Sequence, residues 1–207
     1  MLARLHLVRH GEVHNPDGIV YAGLPGYHLS DTGRLQAQQA ADHLATLAPD
    51  LLRTSPLDRA TETAAPIAVA TGLEAVVDPR LTEWGLAARW AGQAWDGVDA
   101  AERAAYHDHP DDLPFSPEQA RAMAERMAGV VAGLGDSHPG ASAVIVTHQD
   151  PMQALRFHLT GRPLRRMMED KPGHGEVITL VAGQGRWEGE AGRWRPAARS
   201  APFPPRE

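Results

Sequence analysis

The sequence predicts an α/β protein with a mostly parallel central sheet that is flanked by helices on both faces. Short apolar runs alternate along the chain with stretches whose apolar residues have helical spacing. This alternation is typical of parallel strands joined by helical crossovers. The run Ala141–Thr147 (ASAVIVT) is apolar almost throughout, as expected for a strand that is covered on both faces.

The first half of the chain is predicted to alternate three short strands with two helices. Leu5-His6-Leu7-Val8 is mainly apolar and is followed by Gly11, which predicts a strand over about residues 3–8. Asp31 can cap a helix that continues to about Leu47, and Pro49 ends it. The remaining elements of this half are a strand at 50–54, a helix capped by Ser55 with Pro56 at its first position and ending near Thr71-Gly72, and a strand at 74–77.

The second half begins with an irregular segment and then becomes regular. Residues 79–115 carry tryptophans and glycines, which predicts a loop-rich segment with one helix near 97–107. The alanine-rich stretch 117–134 predicts a helix that Gly135 stops. After the buried strand, the predicted elements are a helix from Asp150-Pro151 to Gly161, a strand at 176–181 and an edge hairpin at 187–194.

The length and composition of the chain limit its organisation. A chain of 207 residues is long enough for one domain with a sizeable core and short for two. We expect a single domain over residues 1–195 and a loose, proline-rich tail over residues 196–207. Cysteine is absent, which excludes disulfides, thiolate zinc sites and a cysteine nucleophile.

The charge and hydropathy pattern argue against two classes of partner. The net charge of −6 disfavours a nucleic-acid binder, because such proteins neutralise phosphates with basic surfaces. No apolar run approaches the length of a membrane span, and the first residues do not form a secretory signal. We therefore expect a cytoplasmic protein with no nucleic-acid or membrane partner, as a monomer or homodimer.

Polar clusters follow three of the predicted strands. Arg9 and His10 follow the first strand, Arg59 lies at the start of the helix after the second, and His148 follows the run Ala141–Thr147. Because ligands bind beyond the carboxyl ends of parallel strands, we expect these four side chains to meet at one edge of the sheet. Two guanidinium groups, two imidazoles and two helix N-termini there would form an anion site suited to phosphate.

This grouping also predicts a reaction. An imidazole such as that of His10 can act as a nucleophile when one ring nitrogen is held as a donor and the other is free. Arginines can neutralise the oxygens of a phosphoryl group in transfer, so the site requires neither metal nor cofactor. A carboxylic acid must protonate the leaving oxygen; Glu83 is our candidate. The rival carboxylates are Glu12, Glu74 and Asp78.

Four motifs in the same order resemble the histidine phosphatase superfamily, which includes the cofactor-dependent phosphoglycerate mutases. Leu7–Glu12 (LVRHGE) resembles the RHG signature, and Leu29–Ala37 (LSDTGRLQA) resembles the family's LTxxGxxQA helix start. Ser55–Ala64 (SPLDRATETA) is similar to its SPLxRAxxTA segment, and Val144–His148 resembles the strand that delivers a second histidine. The resemblance covers residues 4 to about 160 and implies a phosphoglycerate mutase-like fold.

The resemblance implies a role for each matching residue. His10 would accept the phosphoryl group, Arg9, Arg59 and His148 would hold it, and Glu83 would act first as acid and then as base. The family often has asparagine six residues after the nucleophile, whereas Asn15 stands five after it. The family commonly has glycine after the second histidine, where this chain has Gln149. We include Asn15 and Gln149 among the predicted phosphate-binding residues.

We therefore predict a metal-independent phosphatase that hydrolyses a small phosphate monoester through a phosphohistidine intermediate on His10. The alternatives are a cofactor-dependent phosphoglycerate mutase and a phosphate-binding module without turnover. The short stretch between Glu83 and His148 favours hydrolysis over transfer, because a mutase needs additional segments that exclude water. The loop tryptophans Trp84, Trp90 and Trp95 could line a substrate pocket, and we interpret them instead as cover for a core edge. His174 could reach the site, and we interpret it instead as part of a turn.

Overall fold

The computed structural model describes residues 1–200 as an α/β fold with one central sheet. Its strands are β1 (Arg4–Arg9), β2 (Leu51–Thr54), β3 (Ala75–Val77), β4 (Ser142–Thr147), β5 (Val177–Gly183) and β6 (Arg186–Trp194). Its α-helices are α1 (Asp31–Ala45), α2 (Asp58–Thr71), α3 (Ala100–Asp108), α4 (Ala120–Ser137) and α5 (Gln149–Leu159). Short 3₁₀ helices occur at Pro79–Leu81, Gly85–Trp90, Trp95–Gly97 and Leu164–Arg166.

The sheet is mostly parallel, with an antiparallel edge. The strand order is β3-β2-β4-β1-β5-β6, and the first four of these strands run parallel to their neighbours. Strand β5 is antiparallel to β1, and β6 is antiparallel to β5. The predicted fold class is therefore confirmed, and the predicted edge hairpin is the β5–β6 pair.

The register of the parallel strands aligns their carboxyl ends. Arg9 on β1 lies opposite Thr147 on β4, and Thr54 on β2 lies opposite Val146. Apolar side chains cover both faces: Leu5 and Leu7 pack with α4 and α5, whereas Val8 packs with α1 and α2. The residues that follow β1, β2 and β4 are thus brought to one edge of a sheet that is buried on both sides.

The start of α2 and the end of α4 differ from the sequence-based expectation for reasons that the structure shows. Helix α2 begins at Asp58 with Leu57 as its N-cap, because the hydroxyl of Ser55 instead contacts the Nε2 atom of His148 at 2.7 Å. Helix α4 continues past Gly135. Glycine is needed there for packing, since a Cβ atom would lie 2.7 Å from the Cα atom of Met1.

The described part of the predicted loose tail is held by hydrogen bonds. The backbone N–H of Ala198 donates to Gln39 (3.0 Å), and the hydroxyl of Ser200 lies 2.9 Å from the Nδ1 atom of His174. Residues 196–200 therefore lie against the domain rather than loose, and residues 201–207 are outside the described part. No helix in the described part has the combination of length and apolarity needed to cross a membrane.

Candidate active site

His10 lies directly after β1, at the carboxyl edge of the sheet. Its backbone N–H donates to the carbonyl of Thr147 (3.0 Å), and its side chain is buried. The Nδ1 atom lies 2.7 Å from the carbonyl oxygen of Gly11, which fixes Nδ1 as the protonated nitrogen. The Nε2 lone pair is consequently available for attack on an electrophile.

One feature of the surroundings positions the backbone beside His10, and another keeps its ring uncharged. Gly11 allows the chain to pass close to helix α1, because a Cβ atom there would lie 2.4 Å from the carbonyl oxygen of Gly33. The pKa of His10 lies well below its ordinary value, first because the ring is buried and then because Arg59 and His148 oppose a further positive charge. The ring is therefore neutral at neutral pH, as a nucleophile must be.

Arg9 and Arg59 reach the site from different elements. One terminal nitrogen of Arg9 donates to Gln149 Oε1 and to the carbonyl of Pro172, each at 2.8 Å. The other lies 2.8 Å from His174 Nε2, and because arginine can only donate, this imidazole nitrogen is the acceptor. Arg59, in the first turn of α2, is buried and donates to the carbonyl of Ala22 (2.7 Å).

His148 is the N-cap residue of α5 and faces His10, with the two ring centroids 5.2 Å apart. Its Nε2 atom lies 2.7 Å from the hydroxyl of Ser55. That hydroxyl accepts a hydrogen bond from the N–H of Leu57 (3.4 Å), so its hydrogen is free to donate to Nε2. The remaining ring hydrogen of His148 is then on Nδ1, which lies 3.8 Å from Glu83 Oε2.

Glu83 has the properties of a general acid. Its pKa is raised from 4.5 to about 7, mainly by burial and further by the negative charge of Asp150, while Arg59 opposes the rise. Its Oε1 atom accepts from the N–H of Trp84 (2.8 Å), which holds the carboxyl group in place. A carboxyl group with a pKa near 7 can donate and then accept a proton at neutral pH.

Two of the rival carboxylates have partners elsewhere, and the third is exposed. Glu12 accepts from the hydroxyl of Ser30 (2.6 Å), and Asp78 forms an ion pair with Arg80 (2.7 Å) that lowers the pKa of Asp78. Glu74 is exposed. Glu83 lines the cavity beside His10, whereas these three carboxylates do not.

Three buried side-chain nitrogens have no hydrogen-bond partner among the described residues, and all belong to this site. They are Nε of Arg9, Nε of Arg59 and Nδ1 of His148. A buried donor without a partner costs about 1–3 kcal/mol, so unpaired donors around one imidazole favour a ligand rich in acceptors. A phosphoryl group, with several charged oxygens, fits these donors.

A cavity of about 180 Å³ adjoins His10. Arg9, His10, Glu83 and Gln149 are among the residues that line it. The rest of the lining is largely aromatic and apolar, with one further carboxylate; it comprises Val20, Tyr21, Ala22, Trp84, Leu86, Ala87, Trp90, Trp95, Tyr106 and Asp150.

The structure brings together most of the predicted site residues. Arg9, His10, Glu83 and Gln149 line the cavity, and Arg59 and His148 lie close enough to the His10 ring to lower its pKa. Asn15 is not brought to the cavity lining; its side-chain amide exchanges hydrogen bonds with the backbone of Ile19 at 2.9 and 3.2 Å. This turn geometry gives no support to a phosphate contact by Asn15.

Several residues of the site were not predicted from the sequence. The ring centroid of His174 is 5.6 Å from that of His10, so this residue reaches the site although we interpreted it as part of a turn. The ring of Tyr21 lies beneath the guanidinium of Arg59, 4.8 Å from Cζ to the ring centroid. The tryptophans interpreted as core cover also form cavity wall, and Asp150 joins them there.

The class of protein that this fold and site define is an enzyme acting on phosphate monoesters. The model of the histidine phosphatase superfamily (branch 1) matches residues 5–194, and the chain belongs to this family. The predicted family and the predicted class, a phosphoric monoester hydrolase, are thereby confirmed.

Similar proteins include enzymes named as phosphatases. The chain is 42% identical over 164 residues to the uncharacterized protein Rv0525 of Mycobacterium tuberculosis, covering 78% of this chain and 80% of the relative. It is 32% identical to glucosyl-3-phosphoglycerate phosphatase of Mycolicibacterium vanbaalenii, covering 93% of this chain and 92% of the relative. The solved mycobacterial glucosyl-3-phosphoglycerate phosphatase Rv2419c in complex with VO3 is similar in fold, with a TM-score of 0.81 and 30% identity over 90% of this chain and 96% of that one.

Proposed function

We propose that the protein is a metal-independent phosphatase that hydrolyses a small phosphate monoester through a phosphohistidine on His10. The observation that carries this proposal is the hydrogen bond from His10 Nδ1 to the carbonyl of Gly11 (2.7 Å), which leaves Nε2 as the free nucleophile at the cavity. A module that only binds phosphate has no need of this arrangement or of a carboxylic acid with a pKa of about 7.

In the first half of the reaction, His10 Nε2 forms a bond to phosphorus as the bond from phosphorus to the leaving oxygen breaks. Glu83 donates its proton to that oxygen, so the product leaves as a neutral alcohol. Arg9, Arg59 and His148 offer donors to the other phosphoryl oxygens and stabilise the charge that spreads over them in the transition state. These groups supply the charge neutralisation for which other enzymes use a metal ion.

In the second half, water attacks the phosphorus of phosphohistidine and the bond to Nε2 breaks. Glu83, now a carboxylate, accepts the proton of the attacking water, and inorganic phosphate and neutral His10 are regenerated. The carboxyl group therefore changes protonation twice in each cycle, which requires a pKa near the working pH. Gln149, through its hydrogen bond to Arg9 (2.8 Å), keeps one arginine oriented towards the phosphate.

The test is phosphate release from a chromogenic aryl phosphate in the presence of EDTA, together with rapid-quench trapping of the intermediate. We expect undiminished turnover in EDTA and a labelled phosphoprotein that is labile in acid and stable in alkali, as phosphohistidine is. Loss of activity in EDTA, or a label located elsewhere than on the peptide that contains His10, would contradict the proposal.

A further inference from the structure

The cavity beside His10 is the space available to the part of the substrate that leaves after phosphoryl transfer. Its volume is about 180 Å³, and a dry apolar cavity of roughly 150 Å³ is enough to bind benzene in an engineered protein. The space therefore accommodates a group of the size of one ring.

The wall of this cavity presents flat aromatic surfaces. Trp95 lies edge-on to Trp90 and to Tyr106, with ring centroids 5.5 Å apart in both pairs. The indole N–H groups of Trp84 and Trp90 are already bonded to Glu118 and Glu102, each at 2.8 Å. These two indoles therefore contribute apolar surface to the wall rather than hydrogen-bond donors.

The charges of the lining are unsuited to an anionic leaving group. Among the described residues, the cavity lining holds no lysine and no arginine other than Arg9, which is engaged at the reaction centre. Asp150 contributes a carboxylate to the same lining, and its two oxygens accept from the hydroxyl of Tyr106 at 3.1 and 2.9 Å. A carboxylate carried by the substrate would lie near Asp150 and Glu83 in this space. No free cation among the described residues of the lining would be available to pair with it.

Two cations lie near the cavity, and neither is free to bind an anionic group of the substrate. Arg89 is bonded to the carboxylate of Glu102, at 2.6 Å for the closest pair of atoms, and is absent from the cavity lining. Lys171 donates to the hydroxyl of Tyr106 (2.8 Å), lies 3.8 Å from Asp150, and likewise does not line the cavity. Both positive charges are therefore paired with protein carboxylates.

We propose that the alcohol part of the substrate carries no anionic group and presents one ring with an apolar face, as in aryl phosphates and monosaccharide phosphates. This specificity rests on the proposed phosphatase function. Asp150 is its determinant, because its carboxylate pairs with Lys171 (3.8 Å) and so leaves no free positive charge among the described residues beside the cavity for a carboxylate of the substrate, while it can accept a hydrogen bond from a hydroxyl group. Carboxylated monoesters such as phosphoglycerates are then poor substrates, which also disfavours the mutase reaction.

The experiment compares two pairs of substrates in which mainly the charge differs. The aryl pair is 4-carbamoylphenyl phosphate and 4-carboxyphenyl phosphate, and the aliphatic pair is glycerol 1-phosphate and 3-phosphoglycerate. We expect kcat/KM to be at least about tenfold higher for the uncharged member of each pair. Glucose 6-phosphate, assayed beside the carbamoyl compound, distinguishes a sugar ring from an aromatic ring as the preferred occupant.

The Asp150→Asn variant tests the proposed determinant. Its amide retains an oxygen that can accept from Tyr106, while the negative charge is lost, so we expect the preference within each pair to shrink to about threefold or less. The matched control is Asp108→Asn, because Asp108 is exposed, lies two residues from Tyr106 and does not line the cavity. We expect the control variant to keep the wild-type preference. A wild-type enzyme that hydrolyses both members equally, or an Asp150→Asn variant with an unchanged ratio, would overturn the inference.

Binding separates failure of this inference from failure of the proposed function. Calorimetry with the His10→Ala variant measures the affinity for both aryl compounds without turnover, and we expect tighter binding of the carbamoyl compound. Equal affinities would overturn the specificity even where phosphate release is observed. Failure of phosphohistidine to form would overturn the mechanism. Tighter binding of the carbamoyl compound than of the carboxy compound would support the specificity in that case as well.

Discussion

The reaction centre lies at the carboxyl ends of β1 and β4 and in the first turns of α2 and α5, whereas the wall of the cavity comes mostly from the irregular segment between β3 and α4. His10, His148 and the two arginines are thus placed by regular elements whose relative positions are set by the register of a buried sheet. Glu83, by contrast, comes from the start of the irregular segment. The wall is built from short 3₁₀ helices and aromatic packing.

This difference separates two functions within one site. Elements of a rigid sheet can hold a nucleophile and its arginines to within a fraction of an ångström, which phosphoryl transfer requires. An irregular segment can change its side chains without disturbing that register, which suits substrate selection. Substitutions of the groups that attack or hold the phosphoryl group should therefore affect all substrates alike. The effect of replacing Glu83 should depend on how much the leaving group needs a proton, and substitutions in the wall should distinguish substrates by their shape and charge.

The largest effect is expected for His10→Ala. Removing the nucleophile abolishes the covalent route, so we expect kcat/KM to fall by more than ~10³-fold for every phosphate ester tested. His14→Ala is the matched control, because His14 is exposed and does not line the cavity. Steady-state phosphate release provides the measurement; a loss confined to some substrates would contradict the separation of the two regions.

Glu83→Gln is expected to have the next largest effect, with a dependence on the leaving group. An alkyl leaving group needs a proton, so its kcat/KM should fall by about 10²-fold, and that of a nitrophenyl ester should fall less. Wild-type kcat/KM for alkyl esters should decrease as pH rises through about 7, because the Glu83 carboxyl group, whose pKa is about 7, then loses the proton that it donates.

The pH profile of Glu83→Gln distinguishes this role from that of other acids. We expect the decrease at alkaline pH to disappear in the variant, since glutamine does not titrate. Glu74→Gln, at an exposed position outside the cavity, serves as control and should retain the wild-type profile. Equal slowing of alkyl and aryl esters, or a persistent alkaline decrease, would assign the proton to a different group.

The sequence was most informative where function depends on residues adjacent to strands. Arg9, His10 and His148 come at the ends of apolar runs, and the alternation of such runs with stretches of helical spacing predicts that these strands are buried and parallel, as they are. Arg59 could be placed because the helix that carries it begins a few residues after β2.

The residues that sequence reasoning missed depend on contacts between distant segments. His174 reaches Arg9 because antiparallel β5 pairs with β1, so that the turn before β5 lies beside the end of β1. Tyr21 reaches Arg59 from a loop that has no apolar periodicity. The spacing of glycine and proline predicts that such segments are loops, but it carries no information about which part of the sheet they cover.

His174→Ala is expected to cause a moderate loss at the reaction centre. His174 Nε2 accepts from Arg9 at 2.8 Å, and burial and Arg9 keep the pKa of His174 well below its ordinary value, so the ring is a neutral acceptor. Without this acceptor Arg9 is less well positioned, and we expect kcat to fall by about tenfold for all substrates. His174→Gln, whose amide oxygen can replace Nε2 as acceptor, should restore much of kcat; equal losses in the two variants would indicate a packing role instead.

Trp95→Ala is expected to have the smallest effect and the greatest dependence on substrate. Trp95 is partly exposed on the cavity wall, and removal of one aromatic face costs about 0.5–1.5 kcal/mol of ring stacking. We expect kcat/KM to fall by about three- to tenfold for aryl and sugar phosphates, mainly through KM, and to stay unchanged for phosphoethanolamine, which has no ring. Trp187→Ala on β6, outside the cavity, is the matched control. A uniform decrease over all three substrates would show that the wall supports the reaction centre, and the two regions would then not be independent.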